Sequence, residues 1–522
     1  MVAQRGKITD RNGAVLAENR NTYAVFVRPA SVTDKRETAR VLAEVFSLEE
    51  EPLYEKLKTS RVSELTVAKH REKTEILSLA AYDLPGVYYA RDNTRFYPQG
   101  DFLSQVLGFT SSDGYGQAGI ELYQNELLSG TDGEILYETD LVGVEIPDRP
   151  VSYYPAKSGL TVELTVDLEI QTIAERAMEE ACLSYRPKSA ACVVMNPGTG
   201  EILALSVKPS FNLNAVPRDD LGKLSDLSRN KIVTDVYEPG STFKVVTAAA
   251  NLEEYRQGRP AFSPTEIFSS ARTRSVAGTT VKCWNMHQNG KHSHQTLADA
   301  LNNSCNPCFT DMALRMGKET FYKYLKAFGF GSKTGVDFGG EAYGLLVPEK
   351  AVTLSDLARI GFGQTVAVTP VQLAAAVSAA VNGGEYVKPH LVKRVTDENG
   401  APVLVVYPET VRRVVSAETS SLLCTMLEGV VTNGSGKKAY IEGFRVGGKT
   451  GTAQKYENGR IAQGKYVSSF IGFFPANAPK YLCLVVIDEP KGESYGSVVA
   501  APYARDIFRG IIAAKKLAPQ EA

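Results

Sequence analysis

At 522 residues the chain is too long for one hydrophobic core, so two or more domains are expected. An apolar fraction of 43%, a charged fraction of 22% and a net charge of −1 describe an ordinary globular protein, and exclude a basic nucleic-acid binder or an acidic low-complexity tail. No apolar run reaches the roughly 18 residues a membrane span needs and no signal peptide precedes Arg5, while seven cysteines argue against a disulfide scaffold.

In chain order, residues 5–28 read as a β-hairpin, with alternating apolar residues flanking Asn12-Gly13. Residues 33–80 carry helical periodicity, clearest in TARVLAEVFSLEEEPLYEKL. Residues 91–133 mix strand-like and helical pieces, with turns at Asp113-Gly114 and Asp132-Gly133. The stretch 145–159, rich in Pro, Tyr and polar residues, is the expected boundary; placed near Tyr154, it divides the chain into 1–153 and 154–522. Beyond it, 160–171 predicts a strand leading into a helix. Residues 189–207 predict a hairpin turning at 196–200, its continuous apolar character that of a buried sheet. Helical patterns dominate 296–382, and the C-terminal third returns to strands at 445–455, 466–476 and 481–490 before a closing helix. Strands on both sides of a helical insertion predict an α+β domain whose sheet is assembled from both ends of its segment.

The chemistry gathers around Tyr237-Glu238-Pro239-Gly240-Ser241-Thr242-Phe243-Lys244. A Pro-Gly turn runs into a serine and then an Ala-rich helical run, which predicts Ser241 at a helix N-terminus with Lys244 one turn later on the same face. A hydroxyl there lies near backbone N–H groups and near an amine able to take its proton. Alone, the pattern is weak, and an N-capped core helix with a surface lysine is its plainer reading. Lys244 can act as a base only if its pKa falls from about 10.4, through burial and through repulsion by another cation. Two further stretches supply partners. Asn303-Ser304-Cys305-Asn306-Pro307 sets a hydroxyl and an amide two residues apart at the start of a helical pattern. Gly447-Gly448-Lys449-Thr450-Gly451-Thr452, on a predicted strand, offers a cation, two hydroxyls, and a glycine expected to clear space for substrate. An extended peptide could add to that strand's edge.

Ser241-x-x-Lys244, Ser304-x-Asn306 and Lys449-Thr450-Gly451, in this order, resemble the three motifs of penicillin-binding proteins and serine β-lactamases. RGKITDRNG, GQAGIELYQNELLSGTDG, LTVDLEIQ, GFGSKTGVDFGGE and GFGQTVAVTPVQLA extend the similarity to class B penicillin-binding proteins over nearly the whole chain. NSCNP, together with the KCW and HSHQTL stretches, resembles the sporulation branch more than the division branch. The resemblance implies a multi-domain α+β fold: a β-lactamase/D,D-peptidase-like transpeptidase domain, with an antiparallel sheet and a helical subdomain, behind an elongated N-terminal pedestal. It also implies an extracytoplasmic location, a membrane anchor before Arg5, and a membrane glycan polymerase as partner. By the same resemblance Ser241 is the nucleophile on a peptidoglycan stem peptide and Lys244 its base. Ser304 relays a proton and Asn306 holds the peptide amide, while Lys449, Thr450 and Thr452 bind the terminal carboxylate. Lys449 would also keep Lys244 neutral, and the N–H groups of Ser241 and Thr452 would form the oxyanion hole. β-Lactams would acylate the same serine, and no metal or cofactor is required. A β-lactamase, a D,D-carboxypeptidase, and a β-lactam sensor or wall-synthesis scaffold are the rival readings.

Residues 283–308 stand apart. They hold Cys283, Trp284, His287, His292, His294, Cys305 and Cys308. The spacing is no clean zinc motif. Cys305 sits inside the Ser304-x-Asn306 pattern, so a disulfide to Cys283 or Cys308 would distort the cleft; the plain alternative is a small buried thiol that fits there.

Overall fold

The computed structural model describes residues 3–136, 152–268, 272–284, 294–457 and 460–519. The expected hairpin forms with a first strand of only two residues, Ile8–Thr9, against a long Val15–Val27. Asp10 holds its turn by accepting from the N–H groups of Asn12 and Ala14. Helices Lys35–Phe46, Glu50–Thr59 and Lys73–Ala80 fill most of the predicted helical stretch. Between the last two lies a strand, Leu65–Arg71, which the helical reading missed. Its short run is too brief to interrupt the flanking helical periodicity, and its pairing with Tyr23–Val27 is a tertiary event. Val15–Val27 also pairs along its length with Val87–Phe96. Val25, Val27, Leu42, Phe46 and Leu57 form a core separate from the rest.

The N-terminal hairpin is not self-contained. Ile8–Thr9 runs parallel to Thr161–Leu164, which pairs in turn with Val392–Thr396. One sheet thus joins residues 8–27, 161–164 and 392–405, drawn from the first and last thirds of the chain.

The second main sheet has five strands in the order Gly447–Glu457, Arg460–Phe474, Tyr481–Asp488, Ser189–Met195, Ile202–Lys208, all antiparallel. It is built from both ends of its segment, as the pattern of strands around a helical insertion predicted. Ile202–Lys208 is buried at every position, and Ser189–Met195 at all but its first. One face packs on helices Leu168–Tyr185 and Ala501–Ala514, and the other on the helical insertion. The first of these helices starts at Leu168 rather than continuing a strand, because the Asp167 carboxylate caps it by accepting from Glu169 and Ile170. The C-terminal third also contains a helix, Ala417–Thr432, among its strands. At the centre of the insertion Lys244–Arg256 and Pro370–Val381 are buried nearly throughout, which explains their Ala-rich sequences: helices enclosed on all sides need small side chains to approach closely.

Candidate active site

Ser241 sits in a single 3₁₀ turn, Gly240–Phe243, which continues into the α-helix beginning at Lys244. Pro239 sets φ at −70°, and Gly240 adopts φ +54°, a conformation costly for other residues. The turn is clasped from outside. Gly240 N–H donates to Gly363 O at 2.9 Å, and Thr365 N–H donates to Glu238 Oε1 at 2.9 Å. Tyr237 and Val368 exchange backbone hydrogen bonds of 3.0 and 2.9 Å. A Cβ on Gly363 would fall 2.0 Å from Gly240 O. The GFGQTVAVTPVQLA segment therefore holds the Ser241 turn in place.

Ser304 lies between helices Leu297–Asn302 and Asn306–Met316, with φ +54°. For a serine this left-handed backbone costs on the order of 1 kcal/mol. It delivers two acceptors to one place. Lys244 Nζ donates to Ser304 O at 2.8 Å, Ser304 Oγ at 3.2 Å and Asn306 Oδ1 at 2.7 Å. Lys449 Nζ donates to the same Ser304 Oγ at 2.9 Å and to Thr450 O at 3.2 Å. Ser304 thus bridges two fully buried lysines.

Burial pulls the Lys244 amine down to about 8, against a weaker upward pull from the thiols of Cys283, Cys305 and Cys308. Lys449 is pushed well below the usual lysine value, first by burial and then by the charge on Lys244. Sequence reasoning divided the lowering of Lys244 between burial and a neighbouring cation. In the structure burial dominates, and the repulsion bears on Lys449.

Lys449 and Thr450–Thr452 lie on Gly447–Glu457, the outermost strand of the five-stranded sheet. Alternation sends Lys449 and Gly451 inward and Thr450 and Thr452 toward the cleft. Thr450 Oγ1 lies 3.2 Å from Ser435 Oγ, and Thr452 Oγ1 accepts from Gly496 N–H at 2.9 Å. Gly451 is needed for a reason other than substrate clearance. A Cβ there would meet Ser469 Oγ at 2.5 Å, Thr242 Cγ2 at 3.0 Å and Pro239 O at 3.1 Å, so the missing side chain lets the strand press against the serine turn.

Ser241, Ser304, Asn306, Thr450 and Thr452 share one cavity of about 180 Å³. Its remaining walls are Trp284, Ser435, Tyr495 and Ser497. Trp284 Nε1 donates to Asn303 O at 2.8 Å, with its ring 6.4 Å from that of Tyr495. Ser435, Tyr495 and Ser497 carry no signal in the sequence; they reach the cleft from distant segments, Ser497 from the short helix Gly496–Val499.

All seven cysteines are thiols. Cys283 Sγ lies 3.8 Å from Cys305 Sγ, and that hydrogen bond, together with burial, pushes the Cys283 thiol far up. Gln295 Nε2 donates to Cys308 Sγ at 3.8 Å. Among the described residues no group of three or more His, Cys, Asp or Glu could hold a metal; His287 and His292 lie outside those residues.

Residues 190–509 match the penicillin-binding protein transpeptidase domain family, and residues 1–164 the penicillin-binding protein dimerisation domain family. The stage V sporulation protein D of Bacillus subtilis is 41% identical over 97% of this chain and 77% of its own length. The peptidoglycan D,D-transpeptidase FtsI of Escherichia coli is 28% identical over 99% of this chain and 84% of its own. Among solved structures, a peptidoglycan synthetase from Bifidobacterium adolescentis matches with TM-score 0.79 at 25% identity, covering 100% of this chain and 97% of that one. Penicillin-binding protein 3 of Mycobacterium tuberculosis, complexed with aztreonam, matches with TM-score 0.75 at 25% identity, covering 100% and 98%. The chain belongs to the penicillin-binding proteins and carries both a dimerisation and a transpeptidase domain.

Proposed function

We propose that the protein is a serine D,D-transpeptidase that cross-links peptidoglycan stem peptides through an acyl-Ser241 intermediate and is inhibited by β-lactams at the same serine. The observation that carries this reading is the convergence of Ser241, Ser304 and Asn306 on one cavity, with Ser304 Oγ bridging the amines of Lys244 and Lys449.

Ser241 Oγ attacks the penultimate D-Ala carbonyl as its proton passes to Lys244 Nζ. With its pKa near 8, roughly a tenth of Lys244 is neutral at pH 7 and able to accept. Backbone N–H groups of Ser241 and Thr452 receive the oxyanion. The C–N bond then breaks, and the departing D-Ala nitrogen takes its proton from Lys244 through Ser304 Oγ. A neighbouring stem's amine next attacks the ester, its proton leaves by the same route, and Ser241 regains its hydroxyl. Asn306 holds the donor peptide's amide. Thr450 and Thr452 bind its terminal carboxylate from the cleft wall, with Lys449 buried behind them rather than on the carboxylate, and Gly451 keeps their strand against the serine turn. An extended donor peptide lies along the open side of the outermost strand. Intact-mass analysis after incubation with a fluorescent penicillin tests this: one stable adduct, lost in Ser241→Ala, is expected. Rapid release of hydrolysed drug would instead make it a β-lactamase, and no adduct at all a scaffold.

The reading includes a boundary near Tyr154, with residues 1–153 as a pedestal and 154–522 as the transpeptidase unit. It places the protein outside the cytoplasmic membrane on a single anchor, beside a membrane glycan polymerase, in division or spore-wall synthesis. The name of the Bacillus subtilis relative favours sporulation. No described helix is long and apolar enough to cross a membrane.

The 3.8 Å approach of Cys283 and Cys305 favours a second, regulatory reading. Exchange with a small-molecule disulfide would form a Cys283–Cys305 bond while reducing that disulfide to two thiols. The bond would draw Cys305 toward Cys283 and move Ser304 and Asn306 off the lysines. Cys308, a turn further along, would stay a thiol. Acylation rates equal under dithiothreitol and under oxidised glutathione would eliminate this switch.

A further inference from the structure

The N-terminal domain sets two arginines on one carboxylate. Arg5 Nε donates to Glu121 Oε2 and Arg95 Nε to Glu121 Oε1, each at 2.6 Å, with side-chain exposures of 6% for Arg5, 4% for Arg95 and 0% for Glu121. The two guanidiniums are not equally provided for. Arg5 places its remaining N–H groups on Gly114 O, Asn125 Oδ1, Ser129 Oγ and Glu121 O. Arg95 Nη1 reaches Gly6 O at 2.8 Å and Asn19 Oδ1 at 3.3 Å, but its buried Nη2 has no hydrogen-bond partner among the described residues. Arginine cannot shed its proton, so the triad keeps a net positive charge and an orphaned donor where both are costly.

Arg95 forms part of the wall of a cavity of about 250 Å³ at the seam between the dimerisation and transpeptidase domains. His70 and Arg218 also line it, and among the described residues no carboxylate does. The acids behind this wall are engaged: Glu121 with the arginines, and Asp92 Oδ2 with His70 Nδ1 at 3.1 Å. Arg218 comes from the transpeptidase side, donating to Thr110 O at 2.5 Å and Gln117 Oε1 at 2.8 Å. Asn214, on the same side, clamps Tyr97 by two hydrogen bonds, Tyr97 N–H to Oδ1 at 2.9 Å and Nδ2 to Tyr97 O at 2.8 Å. The larger cavity on the other side of Arg95, about 530 Å³, is lined by Asp92, Asp113 and Asp132 as well as by cations, so its charges balance. Unlike that cavity, the seam cavity has cations and no carboxylate in its wall among the described residues.

We infer that the seam cavity is an oxyanion site, taking a carboxylate or phosphate group between Arg95 and Arg218. A bound ligand would lie against the Arg95 guanidinium and tie the two domains together. The charge and the planar guanidinium donors select the oxyanion.

The test is calorimetric titration and thermal unfolding of the whole chain with inorganic phosphate and, separately, with succinate, against chloride at matched ionic strength. At least one of the two is expected to bind saturably and raise Tm. Arg218→Gln and Arg95→Lys should each weaken its Kd about tenfold, the loss of one charge-assisted fork, while Ser241 acylation is unchanged. Preference for phosphate identifies a phosphate-bearing ligand, and preference for succinate a carboxylate-bearing one. An equal Tm rise with chloride, or variants that bind as the parent does, overturns the inference. Arg218 lies on the exposed rim, so its variant decides the matter should Arg95→Lys not fold.

Discussion

Two places in this molecule bury a pair of cations, and they solve the problem differently. In the cleft, Lys244 and Lys449 share a serine hydroxyl and have no carboxylate beside them among the described contacts. In the N-terminal domain, Arg5 and Arg95 grip the two oxygens of Glu121. A lysine taken out of water can release its proton, so burial turns into a lowered pKa and a usable base. An arginine cannot, and burial must be answered by an opposite charge. The chemistry of the residue decides whether a buried cation can lower its pKa or must be held by an opposite charge.

Lys244→Arg should break this contrast most sharply. A permanently charged guanidinium in the cleft should lower the second-order rate of penicillin acylation by about 10³, within the range for loss of a general base, read by stopped-flow with a fluorescent penicillin. Glu121→Gln should strike the other pair. It leaves two buried guanidiniums without a charge partner and should cost about 3–5 kcal/mol of stability in urea unfolding, while acylation by the folded fraction persists. Gly451→Ala adds a methyl group where Ser469 and Thr242 already stand. Overpacking there should cost about 1–3 kcal/mol and slow acylation by parting the strand from the serine turn. The pH profile is the gentlest probe. Folding brings Lys244 down to about 8, so its basic form grows as pH rises. Acylation should climb about tenfold per unit below pH 8 and level off above it; a flat profile from pH 6 to 9 would remove Lys244 as the titrating base.

Much of the cleft could be read before folding because its chemistry lies in short patterns. Ser241 and Lys244 are one turn apart, Ser304 and Asn306 flank one cysteine, and Lys449 to Thr452 follow strand alternation. The alternating and continuous apolar runs likewise located all five strands of the buried sheet. What stayed hidden depends on distance along the chain. Arg5 and Glu121 are 116 residues apart, and Arg95 and Glu121 are 26 apart. No local pattern announces their meeting. Leu65–Arg71 reads as a gap between helices until Val15–Val27 is present to pair with it. The bridging position of Ser304 depends on its left-handed backbone, which residue type alone does not reveal. Nor does the sequence say which way the missing side chain of Gly451 points.

The outermost position of Gly447–Glu457 has a cost for solubility. A strand with an open side is a template for any other extended chain, including another copy's, and such edges are where sheets begin to aggregate. This edge cannot be blunted by the usual proline or bulge near Lys449 without closing it to a peptide. Protection has to come from outside the strand. The Trp284 and Tyr495 side chains and the Ser304 turn stand as the cleft's other walls. Shortening or opening those walls, as in Trp284→Gly, should make the protein more prone to self-association even where acylation survives.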